Sequence, residues 1–200
     1  WVSHDLEEIY ANVLVVCREV AEKAGIDPAQ IAAMGISNQR ETVAAWDRAD
    51  GTPVGQAIVW QCARAKEICD TLASHAEAVR EKTGLPLSPY FSASKMAWIL
   101  QNHPEAAALA AKERLALGTI DSYLVSRLSE ERSFKTDYSN ASRTQLFNIR
   151  TLQWDDELCT LYGVPRHCLA EVCMSDSLFG TTTLSGFLPK AIPICGVLGD

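Results

Sequence analysis

Between residues 5 and 24, apolar side chains recur at three- and four-residue intervals. Leu6, Ile9, Tyr10, Val13, Val16, Cys17, Val20 and Ala24 then share one face of a helix. Asp5 with Glu8 resembles a capping box ahead of it, and Gly25 is a C-terminal stop. The Asp-Pro segment 26–30 reads as a connector. Ile31–Ile36 is an apolar run of strand length, ending in the polar cluster Ser37-Asn38-Gln39-Arg40-Glu41-Thr42. Val43–Trp46 and Val54–Trp60 read as a hairpin around the turn 47–51, with Asp-Gly supplying the turn.

Helical spacing then predicts helices over about 61–74, 76–83, 92–103 and 104–113, with 84–89 as a loop leading into Tyr90-Phe91. Leu115–Gly118 reads as a strand, Ile120–Leu128 as a helix, and Asp155–Tyr162 as a helix stopped by Gly163 and Pro165. The polar stretch 136–154 sustains no period. The apolar strand 192–199 runs into Asp200. Strands alternating with helices, without repeats or an obvious linker, indicate an α/β chain.

Composition narrows the function classes. With 18 Lys+Arg against 25 Asp+Glu, the net charge of -7 and the lack of a basic cluster argue against nucleic acid as a partner. No apolar run approaches bilayer length and no signal peptide opens the chain, so no membrane partner is expected. The 7 cysteines, scattered without a C-x-x-C pair, read as reduced, buried and cytoplasmic. His167, Cys168 and Cys173 crowd together, yet four ligands at zinc spacing are lacking, so no metal site is assigned. The absence of an initiating Met suggests a fragment.

Two strands end in charged groups, the place where open α/β sheets bind ligands. At the first, Arg40 offers a fork of donors and Glu41 two acceptors, a grip suited to a polyhydroxylated molecule or simply a solvated ion pair. At the second, Gly199 lets backbone approach a ligand, while Asp200 is a general base, a magnesium ligand or a helix cap. Trp60, Tyr90 and Trp98 are candidate pocket walls or plain core. Neither a P-loop nor a G-x-G-x-x-G turn occurs.

Six ordered blocks go further: Gly35–Thr42, Ala57–Cys62, Pro89–Lys95, Gly118–Leu124, Thr136–Thr144 and Gly199-Asp200. Together they closely resemble the FGGY carbohydrate kinase family, most of all its glycerol-phosphorylating members. The resemblance implies a ribonuclease-H-like fold of the actin/hexokinase type, a mixed sheet flanked by helices. Residues 1–200 would be most of the N-terminal, substrate-binding domain, with the first strands and the C-terminal nucleotide-binding domain absent. By the same resemblance, Arg40, Glu41, Tyr90 and Asp200 hydrogen-bond the glycerol hydroxyls and Trp60 packs on the carbon backbone. Asp200 takes the proton as the hydroxyl attacks the γ-phosphate of ATP carried with Mg2+. The loop 184–190 lacks the glycine-rich run and arginine with which some bacterial relatives bind an allosteric sugar bisphosphate.

The fragment alone is therefore expected to be inactive, and to associate through an unpaired strand edge and exposed apolar surface. Whether the complete protein is a homo-oligomer is left open by the sequence. Competing readings are a kinase for another sugar or polyol, favoured by smaller residues in place of Trp60 and Tyr90, and a non-catalytic domain of the same fold.

Overall fold

Asp5 accepts the amides of Glu7 and Glu8 and so starts helix α1 (Leu6–Ala24), which Gly25 ends in the left-handed region at φ 63°. The computed structural model describes all residues, 1–200, and the elements follow in chain order. The strands are β1 (Ser3–His4), β2 (Met34–Asn38), β3 (Val43–Asp47), β4 (Ala57–Ile58), β5 (Leu115–Thr119), β6 (Lys135–Asp137), β7 (Phe147–Asn148), β8 (Gln153–Trp154), β9 (Glu171–Cys173), β10 (Gly180–Thr182) and β11 (Ile192–Gly199). The further helices are α2 (Lys66–Thr71), α3 (Ala76–Thr83), α4 (Ser92–Asn102), α5 (Pro104–Ala111), α6 (Ile120–Leu128), α7 (Tyr138–Ala141) and α8 (Asp156–Tyr162).

Two sheets organise the chain. One runs β1-β4-β3-β5, the other β10-β11-β2, with β11 parallel to β2 and β10 antiparallel to β11. The expected hairpin 43–60 forms at Val43↔Ile58, but β3 finds its longer partner in β5, across five residue pairs from Val43↔Thr119 to Asp47↔Leu115. Strand β2 has a partner on one edge only. Apolar burial falls into two clusters. One, around Val43, Ile58, Met96, Ile99 and Leu117, joins β3 to α4. The other, around Trp46, Tyr123, Phe179 and Ile194, joins the second sheet to α6.

Several expectations shift. The strand placed over 31–36 runs instead over Met34–Asn38, because Asp27 caps a 3-10 turn at Pro28–Gln30 and pairing with β11 begins only at Met34↔Ile194. The helix expected over 61–74 is cut to Lys66–Thr71, since Arg64 turns back to the Val2 carbonyl and the Ser3 hydroxyl. On α1 the stripe facing the core is Leu6, Ile9, Tyr10, Val13, Leu14 and Cys17, and Ala21 is buried as well. Val16, Val20 and Ala24, expected on that face, stand exposed, because the packed stripe is rotated by about one position. The seven thiols are all free, and no helix is long and apolar enough to cross a membrane.

One buried carboxyl sets a pH dependence. Asp121, at the start of α6, is shut from solvent and accepts the hydroxyls of Thr119 and Thr136. Burial pushes it up to about 6 from 3.8, Asp137 adds to the rise, and the two threonines oppose it. The folded chain thus keeps this proton to higher pH than the unfolded chain, and stability from this site falls as pH rises from about 4 to about 6. In urea unfolding, Asp121→Asn should gain on the wild type by about 2 kcal/mol between pH 4 and pH 7. A difference that stays constant with pH would contradict this.

Candidate active site

The parallel pair β2–β11 brings Asn38 opposite Gly199, so the polar residues following one strand meet the end of the other. The Asp200 amide donates to the Asn38 carbonyl at 3.0 Å. Just past the end of β2, Arg40 folds back over this junction, with its Nε 3.7 Å from Asp200 Oδ1. The path lies directly over Gly199. A Cβ there would stand 2.3 Å from Arg40 Cδ and 2.6 Å from Cγ, so a side chain at this position would push Arg40 off its path. Arg40 Nε is buried and has no hydrogen-bond partner.

Glu41 follows with φ 61°, a left-handed conformation rarely adopted outside glycine, asparagine and aspartate. Tertiary contacts hold it there. Its carbonyl accepts from Ser92 Oγ at 3.1 Å, and its buried carboxylate accepts from Arg143 Nε at 2.6 Å. The Arg143 guanidinium also lies 4.9 Å over the Phe91 ring. Thr42 Oγ1 accepts the Trp60 amide, and the Trp60 ring leans on Tyr90 with centroids 5.5 Å apart. Arg40, Glu41, Trp60, Tyr90 and Asp200 are therefore linked through neighbouring residues into one region. The side chain of Asp200 is open to solvent and that of Glu41 is almost fully enclosed.

Beneath Asp200 lies a polar scaffold. Asp137 is fully buried and its carboxylate accepts from Ser139 N and Oγ, Asn140 N and Nδ2, and Ser175 Oγ, at 2.7–3.0 Å. Ser139 Oγ in turn accepts the Gly199 amide at 2.7 Å. Asn140 exchanges two amide hydrogen bonds with Asn38, at 2.9 and 3.2 Å. Both strand ends at the junction are thus tied to one satisfied carboxylate.

Trp98 is not among these residues. It packs on Trp1 at 5.3 Å and lies under Arg64, so it walls no part of this region. A polar cavity of about 460 Å3 lined by Tyr10, Arg127, Glu130 and Ser185 shares none of the five residues. His167 bonds the Ala110 carbonyl and Cys168 is core, which accounts for that crowded segment. No three His, Cys, Asp or Glu side chains converge in a way that could hold a metal ion. Sequence reasoning missed Arg143, Asp137, Ser139 and Asn140 as supporting groups. The signal available was their shared place in the block Thr136–Thr144.

Comparison with known proteins agrees with this architecture. The model of the FGGY family of carbohydrate kinases, N-terminal domain, matches residues 1–200. Glycerol kinase 1 of Thermotoga maritima is 48% identical, with all of this chain aligned to 41% of the relative. The glycerol kinase of Pasteurella multocida is 46% identical, with 40% of its length covered. The chain thus spans about two fifths of the length of these curated relatives. The crystal structure of Plasmodium falciparum glycerol kinase with ADP superposes with a TM-score of 0.92 at 35% identity, over 100% of this chain and 40% of that one. A xylulose kinase from Lactobacillus acidophilus, at TM-score 0.82 and 21% identity over 99% of this chain and 40% of its own, shares the fold.

Proposed function

Because this chain belongs to the FGGY family of carbohydrate kinases, we propose that it supplies the acceptor-binding part of an ATP-dependent glycerol kinase, which makes glycerol 3-phosphate. The fold is then the ribonuclease-H-like, actin/hexokinase-type fold of that family. The observation that carries the reading is the unpaired, buried Arg40 Nε beside the exposed Asp200 carboxylate, 3.7 Å away. A hydroxyl is donor and acceptor at once. One hydroxyl oxygen can accept from the Arg40 guanidinium and donate to Asp200 together.

In this reading Glu41 accepts from a second hydroxyl, Tyr90 offers its phenol, and the Trp60 face covers the carbon chain. Asp200 receives the hydroxyl proton as that oxygen forms its bond to the γ-phosphorus of ATP. The bond from the γ-phosphorus to the bridging oxygen breaks, and ADP leaves. Such transition states are loose, so positioning the nucleophile is most of what the acceptor side contributes. Magnesium enters with ATP as part of that substrate and offsets charge on the phosphates. Residues 1–200 carry no phosphate-binding glycine loop, and the nucleotide site is assigned to chain outside them.

The test is a panel of glycerol, pentitols and xylulose assayed with MgATP on the complete protein. Glycerol should give the highest kcat/KM, and preference for a five-carbon acceptor would overturn the assignment. Arg40→Ala should raise the KM for glycerol by about ten- to a hundredfold, the loss expected for a charge-assisted hydrogen bond, while kcat changes less.

A further inference from the structure

Lys95 lies in the first turn of α4 and has no exposed surface, yet no carboxylate contacts its ammonium. Its Nζ donates instead to three successive backbone carbonyls, Pro89 at 2.9 Å, Tyr90 at 2.5 Å and Phe91 at 2.7 Å. A cation near a helix N-terminus opposes the helix dipole, so the helix itself gives no reason for it. Burial pulls the ammonium down from 10.5 to about 7, against the negative potential of Glu41, Cys62 and Cys69, which raises it. The three carbonyls are the groups that directly reward a charge at this place. The same helix start holds two further segments. Ser92 Oγ donates to the Glu41 carbonyl, and the Ala93 amide donates to the Thr144 carbonyl.

We propose that Lys95 is a positioning residue for acceptor binding: by gathering the carbonyls of 89–91 it fixes the loop that presents the Tyr90 side chain against Trp60. This rests on the glycerol kinase reading, in which Tyr90 contacts the acceptor. Tyr90 depends on such a clamp because more than one-third of the residue is exposed and its own amide is held by a single bond, to Ser88 Oγ at 3.2 Å. With three donors, an ammonium can satisfy three carbonyls at once. An apolar side chain in its place would leave them desolvated and unpaired.

The experiment uses Lys95→Met in the complete protein, with amide hydrogen exchange and steady-state kinetics. Exchange at Tyr90 and Phe91 should quicken by about tenfold or more in the free protein, while β3 and β5 stay as in the wild type. The KM for glycerol should rise by about tenfold or more, with kcat within about threefold. Where Lys95→Met does not fold, Lys95→Gln retains two donors and should give a smaller shift in the same direction. Unchanged exchange at 90–91, or loosening spread equally through β3 and β5, would overturn the positioning role. A loosened loop with an unchanged glycerol KM leaves Lys95 as the clamp and removes Tyr90 from the acceptor site, so the two readings fail separately.

Discussion

Asp200→Asn in the complete protein should lower kcat by roughly two orders of magnitude or more, with the KM for glycerol within about threefold of the wild type. Asparagine keeps the shape and a hydrogen-bonding oxygen but cannot take the hydroxyl proton. The binding groups Arg40, Glu41, Trp60 and Tyr90 remain, so ground-state affinity persists. The strand end should also remain, because Asp200 is tied to Asn38 through its backbone amide and Gly199 to Ser139 through its own. A thermal melt matching the wild type would establish that the variant is folded. Near-normal kcat in that folded variant would remove Asp200 from the chemistry and leave a polyol-binding region without a base.

Arg143→Ala should be the most damaging change outside the groups that touch the acceptor. Removing one partner of a buried ion pair costs about 3–5 kcal/mol, because the other charge is left desolvated and unpaired. Side-chain exposure is 5% for Glu41 but 28% for Arg143, so water can partly replace the arginine and the lower end, about 3 kcal/mol, applies. The loss should divide between folding stability, read by urea unfolding, and the KM for glycerol, because Glu41 would turn away from its binding position. Arg143→Lys should recover only part of it. A lysine neither reproduces the guanidinium fork nor stacks on Phe91. A variant with wild-type KM and stability would show that Glu41 is held by its backbone alone.

Local grammar and long-range pairing account for what the sequence disclosed. α1, α3 and α8 lie within a residue of where periodicity and end signals put them, because Asp5, Asp155, Gly25, Gly84 and Gly163 act on their own neighbours. β7, β8, β9 and β10 are two or three residues long. A strand that short has no period to read and exists through its partner. The rotated stripe of α1 follows from the same limit: an almost continuous apolar helix leaves its buried face to the sheet it meets. At the site, the chemical types of Arg40, Glu41 and Asp200 stood out as polar groups beyond strand ends. Arg143 and Lys95 did not, since their partners are a carboxylate 102 positions away and a row of backbone carbonyls.

The parallel seam between β2 and β11 also orders events during folding. Asn38 and Gly199 are neighbours in the sheet yet stand about 160 residues apart in the chain, so joining them closes a very long loop whose entropy cost precedes any reward from contact. The antiparallel pair β3–β5 and the helices around it can assemble earlier, with shorter closures. On the ribosome, β2 therefore waits without β11 until residues 192–199 emerge, its edges exposed to wrong partners. The junction of Arg40 with Asp200 matures only after that closure, and a chain stalled before residue 192 holds the Arg40 end of it with nothing for that arginine to face.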